Sequence, residues 1–209
     1  MLINSNLKIV SRNIILVPYT PLHVIKYHNW MKSKELQNLT ASEPLSLSEE
    51  YEMQKSWKED DDKFSECTFI ILDKDKYLKC NDEVDSMIGD TNIFITDKAL
   101  AQGEIEIMIA EESARGKKYG WEAVTTMLWF GAKYIKLKRY EAKISMSNTV
   151  SIRMFTKLGF VEVSRSNVFQ EVTLQKNVSA DWVEPLQSLY KWEIKIINNF
   201  TLLYDQHKL

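Results

Sequence analysis

The alternation of apolar and polar positions divides the chain into short strands and longer helices. Asn13-Ile14-Ile15-Leu16-Val17 is a β-branched run stopped by Pro18, which predicts a strand. Thr20-Pro21 then supplies a cap and a first-turn proline, and Val24, Tyr27, His28 and Met31 recur at helical spacing. Ser46-Leu47-Ser48-Glu49 has the spacing of a capping box and opens a second helix through Trp57. Residues 68–72 and 87–95 are apolar runs that predict strands, and the charged stretch 73–85 between them predicts a loop. From Gly103 to Ala110 the period is two, with Ile105, Ile107 and Ile109 on one face and Glu104, Glu106 and Met108 on the other.

The second half continues the pattern. A long helix is expected over 119–135, with Val124, Met127, Leu128, Gly131 and Ile135 on one face. Residues 140–145 suit a strand, and Asn148 caps a helix that stops at Leu158-Gly159. Residues 160–163 and 168–175 predict two strands joined by a tight polar turn. Trp182, Leu186, Leu189, Tyr190, Trp192 and Ile194 suggest a final helix packed back on the body. The order is strand, two helices, three strands, then helix, strand, helix and two strands, a mixed α/β class.

Composition narrows this picture. A chain of 209 residues with 44% hydrophobic and 27% charged positions can build its own core without disulfides. Lys+Arg of 27 against Asp+Glu of 29 argues against nucleic acid as a partner. Two cysteines, Cys67 and Cys80, exclude a disulfide framework and a four-cysteine zinc site, and His23, His28 and His207 lack metal-ligand spacing, so no metal is expected. No run of about eighteen apolar residues predicts a membrane span. The first ten residues lack the apolar core of a secretory signal, so the expected compartment is the reducing cytoplasm. On that expectation the sequons at Asn38, Asn177 and Asn199 are chance; Cys67, at the start of an apolar strand, is structural, and the charge run 58–63 reads as a surface turn, although it could bind a cation. Only six glycines occur, where average usage of about 7% would give roughly fifteen, so the place of each one matters.

Two of the six lie in Glu111-Glu112-Ser113-Ala114-Arg115-Gly116-Lys117-Lys118-Tyr119-Gly120, between the 103–110 strand and the long helix. A glycine- and lysine-bearing loop that opens a helix suits an anion. First-turn N–H groups point outward, the helix dipole is positive there, and glycine lets the backbone approach a phosphate. The same stretch also reads as a basic surface loop with a glycine in its turn. It is neither a P-loop nor a dinucleotide fingerprint, since no Gly-Lys-Ser/Thr ends it and its glycine spacing differs.

Arg115-Gly116-Lys117-Lys118-Tyr119-Gly120 resembles the Arg/Gln-x-x-Gly-x-Gly/Ala loop of the GNAT superfamily of N-acetyltransferases. Residues 148–160, Asn148-Thr149-Val150-Ser151-Ile152-Arg153-Met154-Phe155-Thr156-Lys157-Leu158-Gly159-Phe160, resemble a second segment of that superfamily. Val17-Pro18-Tyr19-Thr20, Tyr27-His28-Asn29-Trp30-Met31, residues 39–45 and residues 168–174 narrow the similarity to the ninth eukaryotic N-acetyltransferase family, also called alpha/beta-tubulin N-acetyltransferases.

The resemblance implies a GNAT fold over 1–176, with a mixed, mostly antiparallel sheet of about seven strands and flanking helices. Residues 177–209 would form a helical extension. It implies a cytoplasmic enzyme that moves acetyl from acetyl-CoA to a protein amino group, tubulin N-termini by family, with an effect on microtubule stability. The cosubstrate would contact Arg115, Gly116, Lys117, Lys118, Tyr119, Gly120 and Trp121 at its pyrophosphate, and the backbone of Ile107, Met108 and Ile109 at its acyl end. Asn148 and Phe155 would add further contacts.

Two departures stand out. Lys118 replaces the first motif glycine, and Phe155 occupies the place where many relatives carry a proton-donating tyrosine. Glu106 and Glu104 are the candidate bases. Alternatively, Glu104 faces solvent and Glu106 pairs with a cation. Asp90 could orient the amine, although solvation at a sheet edge is the simpler expectation, and His28 could line the acceptor groove or simply pack. Two other functions stay open: a binding protein that turns over poorly, and an acetyltransferase for a polyamine or aminoglycoside, which an acidic groove would favour.

Overall fold

A computed structural model describes residues 3–59 and 66–197. The chain begins with a hairpin of β1 (Leu7–Val10) and β2 (Ile14–Pro18). A single turn at Pro21–His23 leads into α1 (Val24–Trp30). α2 (Lys34–Thr40) starts where Ser33 Oγ accepts from the Leu36 N–H, and α3 (Leu47–Glu59) starts at the expected capping box. There Glu49 Oε2 accepts from the Ser46 N–H at 2.7 Å and Ser46 Oγ accepts from the Glu49 N–H at 3.4 Å. β3 (Glu66–Asp73), α4 (Lys74–Cys80), α5 (Glu83–Ser86), β4 (Met87–Asp97) and β5 (Gln102–Ile109) follow. The phosphate-type loop opens α6 (Tyr119–Phe130), which widens into a π-helical turn at Gly131–Ile135. The chain then forms β6 (Arg139–Ser145), α7 (Thr149–Lys157), β7 (Val161–Ser166), β8 (Glu171–Asn177), α8 (Ala180–Leu189) and β9 (Glu193–Ile196).

Among the described residues nine strands form one sheet, in the order β7-β8-β6-β5-β4-β3-β2-β1-β9. Every pairing is antiparallel except β5 with β6. Alternation sorts the side chains to two faces. Ile14, Leu16, Cys67, Phe69 and Ile71 pack under α6, whose residues 122–130 are all buried. Ile15, Val17, Ile70 and Leu72 pack on the other face, with Val24 of α1. On that face Met108 meets Met31 and Leu36, so α1 and α2 cover the end of β5.

Several expectations need correction. The charged stretch 73–85 is not a loop but α4 and α5. Asp73 and Asp82 cap them, and α4 buries no residue, so no apolar stripe announced it. α2 lacked a stripe as well, since Leu36 is its one buried residue. The turn near residue 165 lies later, because β7 extends to Ser166. Val168 and Phe169 therefore sit in the turn, 86% and 82% exposed, and Gln170 closes it at φ 52°. The last helix ends at Leu189. Trp192 lies beyond it and Ile194 belongs to β9, which pairs with a β1 absent from the sequence expectation. The acidic positions 60–62, Lys63, the sequon at Asn199 and His207 fall outside the described residues.

Candidate active site

The parallel pairing of β5 with β6 runs only from Gln102 opposite Arg139 to Glu104 opposite Glu141. Beyond that point the two strands part, and a cleft of about 420 Å³ opens between them. Tyr27 of α1, Met31 just after it, and Glu50 and Met53 of α3 line it, and Asp90 lines it from β4. Residues 104–108 of β5 and Lys143 of β6 form its waist, and Asn148, Ser151 and Phe155 close it at α7. The cleft thus runs from one face of the sheet, through the gap, to the other.

The alternation read from sequence places Glu104, Glu106 and Met108 on the α1–α3 side, but the two glutamates exchange their expected environments. Glu104, not Glu106, is the ion-paired one: Lys143 Nζ donates to Glu104 Oε2 at 2.6 Å. That hydrogen bond raises the Lys143 pKa and makes Lys143 the counter-ion of Glu104. Glu104 is therefore buried rather than solvent-facing, because β6 lies alongside it. Glu106 lies on the cleft wall with its side chain exposed to the cleft. Burial pushes its carboxyl up to about 7, Glu104 adds to the rise and Lys143 opposes it.

Asp90 is not solvated at a sheet edge, since β4 is an interior strand and Asp90 sits between Ile70 and Met108 in register. Burial, and then the nearby Glu106, push its carboxyl up to about 8. Its buried Oδ1 has no hydrogen-bond partner. Glu50 is 2% exposed, burial raises its pKa, and its Oε2 likewise lacks a partner. The Tyr27 hydroxyl is held protonated by burial and by Asp90, with Tyr19, Glu50 and Glu106 adding to the effect. His28 packs beside Glu50, Nδ1 to Oε1 3.8 Å, instead of lining the cleft. Burial pushes the Cys67 thiol far up, which suppresses the thiolate a nucleophile would need.

Sequence reasoning missed Tyr27, Glu50 and Lys143. Tyr27 stood in a helical stripe that reads as core. The available signal for Glu50 was its place three and four residues before Met53 and Gln54, on the face of α3 that turns inward.

The loop before α6 has the geometry its sequence suggested. Gly116 has φ 73°, and nothing lies within 4 Å of where its Cβ would be. Lys118 takes the left-handed conformation, φ 66° and ψ 11°, directly before the helix. The first N–H groups of α6 have no intrahelical acceptor. This open backbone cradle, with Lys117 and Lys118 exposed beside it, is a donor set that suits a diphosphate.

Arg115 points elsewhere. Its Nε donates to Ile109 O at 3.0 Å, Nη2 to Ala110 O at 3.5 Å and Nη1 to Glu35 Oε1 at 2.8 Å. The guanidinium therefore ties the loop to the end of β5 and to α2. Tyr119 also turns away, its hydroxyl donating to Asp73 Oδ2 at 3.3 Å. Trp121 packs against the main core, and Gly120 sits close under Ile109. On α7, Asn148 Oδ1 accepts from the Ser151 N–H at 3.1 Å, a helix cap at the cleft wall. Phe155 is 2% exposed and packs edge-on against Phe160, ring centres 5.0 Å apart. Among the described residues no cluster of His, Cys, Asp and Glu is arranged to hold a metal, and no helix is long and apolar enough to cross a membrane.

Residues 13–161 match the family model described as an acetyltransferase (GNAT) domain. The human Alpha/beta-tubulin-N-acetyltransferase 9 is 53% identical over 183 residues, covering 86% of this chain and 87% of that protein. The Drosophila melanogaster protein of the same name is 46% identical over 188 residues, covering 88% and 92%. Among solved structures, a spermidine N-acetyltransferase from Vibrio cholerae in complex with CoA and spermine superposes with a TM-score of 0.67 at 17% identity, over 79% of this chain and 95% of that one. At that identity the likeness speaks for the fold.

Proposed function

The chain belongs to the GNAT family of N-acetyltransferases, and on that premise we propose that it acetylates the α-amino group of a polypeptide, with acetyl-CoA as the donor. Tubulin is the proposed acceptor, from the name of the relatives about half identical to it. The proposed setting is the cytoplasm, with microtubule stability as the downstream effect. The observation that carries the reading is Glu106. It is a carboxyl raised to about 7 on the wall of a cleft that joins the two faces of the sheet.

Each residue has a proposed task. The backbone of 115–120 and the start of α6 at Trp121 hold the pyrophosphate, with Lys117 and Lys118 as flanking cations. Acetyl-CoA, when bound, supplies an acyl thioester open to attack by an amine. The backbone of Ile107, Met108 and Ile109 lies on the side of β5 that β6 leaves unpaired, and an N–H there faces the place where carbonyl charge develops. Glu106 takes the proton of the amine, and Glu104, anchored by Lys143, holds the wall and raises Glu106. An α-amino group with a pKa of about 8 asks less of such a base than a lysine at about 10.4. Asn148 shapes the wall, and Phe155 fills space at α7 without a proton to give. The departing thiolate, of pKa about 8.5, leaves without a side-chain acid.

A second reading has its own observation. Glu43, Glu50, Asp90, Glu104, Glu106 and Glu171 line the cleft against one lysine, which suits a small polyamine. Incubation with acetyl-CoA and, separately, a tubulin N-terminal peptide, an internal-lysine peptide and spermidine separates the cases. CoA release with the N-terminal peptide alone supports the first reading. Release with spermidine alone replaces it with the second. Tight acetyl-CoA binding without release in any arm identifies a binding protein.

A further inference from the structure

The proposed chemistry uses one carboxylate as base and one as its anchored neighbour. It leaves Glu50 and Asp90 without a task, and their position is costly. A carboxyl away from water either loses several kcal/mol of hydration as its anion or keeps its proton, and such groups normally find a hydrogen-bond partner. Among the described residues Glu50 has only His28 beside its other oxygen, at 3.8 Å. Glu50 Oε2 and Asp90 Oδ1 are both buried with no hydrogen-bond donor. Both residues line the same cleft as Glu106, at its α1–α3 end. Burial, then Asp90, Tyr19, Glu50 and Glu106, hold the Tyr27 hydroxyl protonated, and Tyr27 lines the same cleft as the three carboxyls.

We propose that Glu50 and Asp90 seat the acceptor as an ammonium ion, each accepting one of its N–H bonds, before Glu106 removes a proton. This rests on the reading that the acceptor is the amino end of a polypeptide. A protonated primary amine carries three N–H donors, and three carboxyls face the cavity that would receive it. Proton balance is simple. The ammonium arrives with its charge, the Glu106 carboxylate becomes a carboxylic acid, and the neutral amine keeps the lone pair that attacks. Asp90, with a midpoint near 8, holds a proton in the empty site near pH 7 and releases it to water as the ammonium arrives. Neither Glu50 nor Asp90 takes a proton from the amine. They are binding residues that select the charged amino end and hold its nitrogen.

The test is direct binding, so it does not depend on turnover. Calorimetry near pH 7, where an α-amino group is largely protonated, compares a short tubulin N-terminal peptide in three forms. These carry a free amino end, an acetylated end, and a trimethylated end that keeps the charge but has no N–H. The full-length protein should bind the free form at least tenfold more tightly than either of the others, the scale of hydrogen bonds to a charged group. Glu50→Gln and Asp90→Asn should each reduce that preference about tenfold and leave affinity for the acetylated peptide unchanged. In turnover, KM for the peptide should rise while the acid limb set by Glu106 stays in place.

Equal binding of the free and acetylated forms by the wild-type protein overturns the proposal, as does a preference that survives both substitutions. Should a variant fail to fold, the trimethylated peptide decides on the wild-type protein alone: binding equal to the free form sinks the proposal. Absence of acetyl transfer to the peptide would count against the proposed function instead, whatever the binding shows.

Discussion

At the residue scale the site turns on two side chains whose type and environment disagree. Glu106 is a carboxyl with a midpoint near that of histidine, because its place in the cleft wall costs it hydration and Glu104 stands beside it. Its basic form dominates above about pH 7. Below that pH, kcat/KM should fall about tenfold per unit as the proton occupies the carboxylate. Glu106→Gln should remove this acid limb and lower kcat at neutral pH by roughly 10²–10⁴. A pH–rate profile of both proteins checks it, and an unchanged limb would assign the base elsewhere. Lys118 is the second case. A lysine at φ 66° carries strain of roughly 1–2 kcal/mol, and glycine there would bring its own entropy cost of roughly 0.5–1 kcal/mol. Lys118→Gly should therefore raise stability by about 0.5 kcal/mol. It should also weaken CoA binding a few-fold through the lost charge. Melting curves and CoA titrations separate the two effects.

At the scale of elements, local chemistry decided what could be read. The strands around residues 14–17, 68–72 and 87–95 were legible as β-branched runs, and α3 was legible from the reciprocal Ser46–Glu49 bonds. α4 and α5 were not, because aspartate caps start them and neither fully buries an apolar side chain. Within the site, the loop and the face shared by Glu104 and Glu106 followed from spacing. The Lys143 contact did not, since it joins strands 39 positions apart in sequence. Gly131 lay inside a helix with no local task, and the structure supplies one. A Cβ there would collide with the Tyr140 hydroxyl, which donates to Leu128 O at 2.7 Å, and with Ile93. Gly131→Ala should cost about 1–3 kcal/mol by overpacking and disturb the α6–β6 contact. Denaturant unfolding measures this, and a neutral result would show that the π-helical turn can shift.

For the whole molecule, the acidic cleft couples folding to pH. The carboxyls of Asp90 and Glu106 are raised in the folded chain, so between about pH 4 and their midpoints the folded state binds more protons than the unfolded one. Their contribution to stability is thus fully present below about pH 4 and is lost as pH rises through 7 to 8. Thermal melts at pH 5 and pH 8 should show that loss. Asp90→Asn should flatten it by raising the midpoint at pH 8, at about 3 °C for each kcal/mol in a chain of this size. An identical slope in the variant would mean that Asp90 is better solvated than its surroundings indicate.

The parting of β5 from β6 also bears on traffic. The cleft is lined by α1 and α3 on one face of the sheet and by α7 beyond the gap, so we expect the two reactants to approach it from different sides. On the proposed assignment the amino end enters beside α1–α3 and the carrier beside α6 and α7. An acceptor as bulky as a folded protein can then press against one side without obstructing exchange of the carrier at the other. The size of the acceptor is limited by what fits over a single doorway, not by the volume behind it.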